Sequence, residues 1–229
     1  MKDLSGLKKG IPVALLLSAL CGCGGGGGSD APPPSSPSPP TVPPPPPPPP
    51  ATTTPPVSST VIDLTDNHRI GVDHWSDGNS ATGGKGDPVD GIPCIASPPE
   101  TYHVHTHLSI FLNGEALAVP QALGITNAPA GRCLYEIHTH DHSGKIHVEA
   151  AASGMFTLGN VFHIWGRSLT NTDLAGITGL PIVIYTTDGG VVTEVKDNWG
   201  DIELKSKREI TIVIGTPITE IPNITWTGT

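Results

Sequence analysis

Two short stretches of this sequence concentrate imidazoles: residues 102–112 read YHVHTHLSIFL and residues 137–149 read IHTHDHSGKIHVE. Neutral imidazole binds Zn, Cu and Ni alike. Two histidines at i and i+2 on a β-strand leave the same face about 7 Å apart, close enough to converge on one ion. His103, His105 and His107 have this spacing on the first stretch; His138 and His140 have it on the second, with His147 following. A further imidazole or a carboxylate from a neighbouring strand would complete a site of the kind three-histidine zinc enzymes use. His103 and His107 would lie about 13 Å apart along a regular strand, so one of the first three should fall outside the ligand shell.

The elements that must position these rings can be read from periodicity. Tyr102, Val104, Leu108, Ile110 and Leu112 alternate with His103, His105, His107 and Ser109, which predicts a strand, and Asn113-Gly114 then predicts a tight turn into EALAVP. Residues 134–150 predict a hairpin around Asp141-His142-Ser143-Gly144. Pairing His140 with Lys145 sets His138 opposite His147 and Glu136 opposite Glu149, with Tyr135, Ile137, Ile146 and Val148 on the other face. If that hairpin lies beside the strand of residues 102–112, the histidine faces coincide. The expected ligands are then His105, His107, His138 and His147, with His103 and His140 in reserve. Glu136 and Glu149 suit a supporting position that fixes a histidine tautomer, or direct ligation, while Asp141 closes the turn.

Elsewhere, TLGNVFHIWG predicts a short helix capped by Thr157 and ended by Gly166, with Leu158, Val161, Phe162 and Trp165 on its apolar side and His163 on its polar side. PIVIYTTDGGVVTEV, with Asp188-Gly189 in the turn, and REITIVIG predict further strands, and Val61–Leu64 a short one. The remainder of residues 61–100, which holds His68 and His74, is rich in Gly, Asp, Asn and Pro and predicts an irregular lead-in. Many short strands with one short helix predict an all-β fold: a single β-sandwich or barrel-like domain over residues 61–229.

The preceding residues have another character. Lys2, Lys8 and Lys9 precede an apolar run from Ile11 to Leu20, too short to span a membrane, which ends in Leu20-Cys21-Gly22-Cys23. This resembles a bacterial lipobox. Residues 1–22 are expected to be a lipoprotein signal peptide, with Cys23 lipidated and anchoring the chain to a membrane of the cell envelope. Residues 23–60 are polyglycine followed by a proline-rich tract with eight consecutive prolines from Pro43 to Pro50, a composition expected to stay disordered and act as a spacer.

Removing residues 1–22 leaves 9 basic and 20 acidic side chains, 9 − 20 = −11, a balance that excludes nucleic acid as a partner and favours cations. Past Cys23, the expected lipidation site, only Cys94 and Cys133 remain, and in an exported domain they are expected to form one disulfide. With no nearby cysteine ligand and no methionine beyond Met155, a blue-copper site is disfavoured. No G-x-S-x-G supports a serine nucleophile, and Ser143 serves the turn. The cluster Asp73, Asp77, Asn79 lacks the spacing of a calcium loop. A glutamate shortly after H-x-H, which a cupin would need, is missing.

HVHTHLSIFLNG, CLYEIHTHDHSGKIHVE and FTLGNVFHIWG, in that order, resemble the motifs of a family of bacterial secreted proteins and lipoproteins. With DGIPC upstream and EITIVIG downstream, the resemblance covers roughly residues 88–222. It implies one exported domain bearing these motifs, and no activity or ligand; His142 and His163 are additions to the pattern. Three functions follow as expectations: binding of a divalent transition metal for capture, delivery or sensing; a metal-dependent enzyme of unspecified reaction; or a surface interaction module with incidental histidines.

Overall fold

The computed structural model describes residues 53–65, 67–129 and 131–227. The expected signal peptide, the lipidation of Cys23 and most of the proline-rich spacer lie outside these residues. In chain order the strands are β1 (Val57–Leu64), β2 (Cys94–Ile95), β3 (Tyr102–Leu112), β4 (Glu115–Leu117), β5 (Ile125–Ala128), β6 (Gly131–Tyr135), β7 (Ile137–His138) and β8 (Lys145–Ala150). Helix α1 (Leu158–Trp165) follows, then β9 (Asp173–Leu174), β10 (Ile177–Thr178), β11 (Ile182–Asp188), β12 (Val191–Val195), β13 (Glu209–Ile214) and β14 (Ile221–Trp226). The fold is β-rich and sandwich-like, its sheets open rather than closed into a barrel. The first strand begins at Val57, ahead of the expected Val61.

The main sheet runs β12-β11-β13-β3-β8-β7, with β4 also on β3. Its centre is β3, whose eleven residues serve three partners. The histidine-bearing half pairs antiparallel with β8, from Tyr102 opposite Ala150 to His107 opposite Lys145. The apolar half pairs in parallel with β13 and antiparallel with β4. Because successive side chains alternate between faces, this register stacks Ile184, Ile212 and Ile110 across β11, β13 and β3, and Ile137, Val148 and Val104 across β7, β8 and β3. That face belongs to one hydrophobic core with Leu158, Val161, Phe162, Ile164 and Trp165 of α1. A fully buried aliphatic or aromatic side chain contributes roughly 1.5–3 kcal/mol, so this face fixes the register of the other.

Local chemistry sets the helix limits. The side chain of Thr157 accepts from the backbone N–H of Asn160, the Asn160 side chain accepts from the N–H of Thr157, and Gly166 ends the helix at φ 74°. β2, β6 and β5 form a separate three-stranded sheet in the order β2-β6-β5, and the Cys94–Cys133 disulfide joins β2 to β6 across a Cα separation of 5.4 Å. Tyr135 at the end of β6 is fully buried; its hydroxyl donates to the Asp87 carbonyl at 2.6 Å and accepts from the Gly86 N–H at 3.1 Å, which ties the lead-in segment to the core.

The hairpin between β11 and β12 turns on Gly189 and Gly190, φ 57° and 81°, rather than on Asp188-Gly189 as expected. Two consecutive positive φ angles suit a pair of glycines, and they leave Asp188 in the strand to pair with Arg208 at 2.8 Å and Lys205 at 3.4 Å. The sheet's other face is divided. Towards β11 and β13 it is covered by a parallel ribbon of β1 and β14, with Ile221 packed against Tyr185 and Val213. Towards β7 and β8 it carries the histidines.

Candidate metal centre

The register set by the apolar core places His103 opposite Glu149 and His105 opposite His147, while His138 on β7 sits opposite His147 from the other side. His140 follows β7 on the chain that leads into the turn. The imidazoles of His138, His140 and His147 and the carboxylate of Glu149 each offer a ligand atom within 4.8 Å of the others; His103, His105 and His147 form a second such group. The Nε2 atoms of His138 and His140 are 3.2 Å apart, and Nε2 of His105 is 3.0 Å from Nδ1 of His147. Oε1 of Glu149 lies 3.5 Å from His103 Nε2, 3.5 Å from His147 Nδ1 and 3.6 Å from His138 Nε2. Two nitrogen ligands of a tetrahedral zinc ion stand about 3.3 Å apart, so these separations suit donors around an ion.

Backbone chemistry orients the innermost ring. His138 has no exposed surface, and its Nδ1–H donates to the Tyr135 carbonyl at 2.9 Å. That bond fixes the tautomer and leaves the Nε2 lone pair directed at His140 and Glu149. The surroundings disfavour the protonated forms of three of the donors. Burial, then the neighbouring His105, His140 and His138, push His147 down to about 2. His140 is lowered by burial and by His138, against the attraction of Glu149 and Asp141. Glu149 is lowered chiefly by its bond to His138, with burial opposing. For His140, His147 and Glu149 these shifts favour the deprotonated forms, which are the forms that ligate a divalent ion.

His107, an expected ligand, is a correction: it lies outside both groups. Its neighbours in register are Lys145 on one side and Glu209 on the other, so no imidazole faces it across a strand. Its Nε2–H donates to the Ser143 carbonyl at 2.8 Å, Ser109 Oγ lies 3.4 Å from its Nδ1, and Trp226 of the covering ribbon stands edge-on at 6.5 Å. This burial pushes it down to about 4, against the Ser143 bond, so it is a neutral, hydrogen-bonded structural residue. Gly144, at φ 82°, lets the turn close on β3 here: a Cβ would come 2.3 Å from the Leu108 carbonyl oxygen.

Glu136 is also outside both groups and meets Glu149 through the backbone, its carbonyl accepting from the Glu149 N–H at 2.8 Å; burial pushes its carboxyl up. The reserve residues His103 and His140 lie inside the groups. His142 joins the lead-in segment, with its Nε2–H on Asp77 at 2.8 Å and Arg69 3.1 Å from its Nδ1. His163 is exposed and bonds Asp90 at 2.6 Å. A cleft of about 220 Å³ opens beside the outer histidines, lined by His103, Val104, His105, Ser206, Lys207 and Trp226. Its last three residues come from distant segments, and nothing near the histidines in the sequence signals them.

Beside His107, Glu209 carries a buried Oε2 without a hydrogen-bond partner, and burial pushes its carboxyl up to about 7 against a bond from the Ile224 backbone. Between its ordinary value of 4.5 and about 7 the folded state binds the proton that the unfolded state releases. Stability from this group is thus complete below pH 4.5 and is lost as pH rises through 7. Glu209→Gln is expected to stabilise the protein by about 1 kcal/mol at pH 8, a value reduced for partial solvent screening, and to have no effect at pH 4. Urea denaturation at the two pH values measures this; equal midpoints at pH 8 would refute it.

Comparison with protein-family models, with curated proteins and with solved structures gives no match for this chain.

Proposed function

We propose that this protein is an exported, lipid-anchored domain of the cell envelope that binds a divalent transition metal (Zn, Cu or Ni) for capture, delivery or sensing. The observation that carries the reading is the buried His138, whose Nδ1–H is held by the Tyr135 carbonyl and whose Nε2 faces His140 and Glu149. A histidine packed merely for its shape does not need a second imidazole nitrogen at 3.2 Å and a carboxylate at 3.6 Å from its open lone pair. The exported setting is supported by the basic and apolar N-terminal run, the Leu20-to-Cys23 lipobox, the resemblance to secreted bacterial proteins, and the single disulfide.

A metal-dependent enzyme is the second reading, and the cleft beside His103 and His105 favours it, since catalysis needs a position open to substrate. The test common to both is direct. Protein folded in an oxidising compartment and stripped with a chelator is titrated with Zn, Cu and Ni while its unfolding is followed. Binding is expected, with about 2.7 kcal/mol of added stability at a free metal concentration one hundred times Kd. Failure to bind any of the three at micromolar concentration would leave a surface module with incidental histidines.

A further inference from the structure

The cluster holds more donors than one ion takes. A tetrahedral ion uses four ligands, while five imidazoles, those of His103, His105, His138, His140 and His147, converge here with the carboxylate of Glu149. They separate into two sets. His138, His140 and Glu149 form an inner set, of which His138 and Glu149 are buried; His103 and His105 form an outer set that borders the cleft. His147 belongs to both, and Glu149 Oε1, 3.5 Å from His103 Nε2 and 3.6 Å from His138 Nε2, reaches from one to the other.

We infer that this cluster is a two-ion centre, in which an inner ion at His138, His140 and Glu149 and an outer ion at His103 and His105 are bridged by His147 as an imidazolate, one ring nitrogen on each ion and the displaced N–H proton released to solvent. The inference rests on the metal-binding reading of the same residues. Four donors serve the inner position, which is therefore closed. The outer position has three imidazoles and faces the cleft, where Ser206 and Lys207 can hold water or a small anion on the ion's open side. Such a division gives the ions different tasks: the inner one stays, and the outer one exchanges or reacts. The ligand class that fits the outer ion is a small anion, because the ion and the Lys207 ammonium are both positive.

The test uses the full chain, stripped of metal and dialysed against micromolar zinc, with ions per chain counted by elemental mass spectrometry. Two are expected. The double variant His103→Gln/His105→Gln, at partly exposed positions, should keep the wild-type circular dichroism and bind one. A count of one in the wild type overturns the two-ion centre and leaves the metal-binding reading standing; a count of zero removes both. Cupric ions give a second readout that does not depend on the variant's folding. Two coppers sharing a histidine couple magnetically, so the integrated paramagnetic signal of the doubly loaded protein should fall below that of two isolated ions. Full intensity at two coppers per chain would put the second ion elsewhere and overturn the proposal.

Discussion

Replacing His138 by alanine is expected to weaken binding of Zn, Cu or Ni by at least about 100-fold, since loss of an orienting partner alone costs 10- to 100-fold and this change removes a donor as well. It should also destabilise the metal-free protein by about 1–3 kcal/mol, because the buried Tyr135 carbonyl loses the N–H that satisfies it. His140→Ala separates the two effects. His140 is exposed, so its removal should weaken metal binding while leaving unfolding of the apo-protein nearly unchanged. Competitive titration against a chromophoric chelator gives the affinities, and urea denaturation of stripped protein gives the stabilities. Unchanged affinity in both variants would exclude the inner position as a metal site.

The second large effect is expected from the disulfide. Cys94 and Cys133 are 39 residues apart, and opening a loop of that size releases chain entropy that costs about 4 kcal/mol of stability in the simplest model, less where the reduced chain keeps structure. Reduction, or the pair Cys94→Ser/Cys133→Ser, should therefore lower stability by about 2–4 kcal/mol. The loss matters for the metal centre because β6, which carries Cys133, runs through Tyr135 and Glu136 directly into β7 and His138. Urea midpoints with and without reductant measure the effect, and equal midpoints would show that the crosslink contributes nothing.

Much of the fold was legible because local signals agreed with one another. Period-two alternation in residues 102–112 and 145–150, with a turn-forming stretch before the latter, sufficed to place His138 opposite His147 and to unite the histidine faces. Thr157 and Gly166 bounded the helix for the same reason. Parallel pairings were not legible. β3 pairs with β13 and β1 with β14 across chain separations that no local period records. This is why His107 was misplaced. Alternation gives the face on which a side chain emerges but not what covers that face, and the strand that brings Trp226 over His107 lies more than a hundred residues away. The cleft residues Ser206 and Lys207 are not legible for the same reason, and it is the β3–β8 and β7–β8 pairings that bring His103 and His140, but not Glu136, into the donor groups.

The parallel ribbon of β1 and β14 also decides where the folded unit can be gripped. Val57 pairs with Ile221 at one end of the ribbon and Leu64 with Trp226 at the other, a span of about 17 Å for the 6 residues of β14. The chain joins the ribbon at the Ile221 end, whereas Trp226 forms part of the rim of the cleft beside His103 and His105. A handle or fusion partner attached upstream of Val57 therefore leaves the mouth of the cleft clear. The same handle placed just after Trp226 would stand at the doorway.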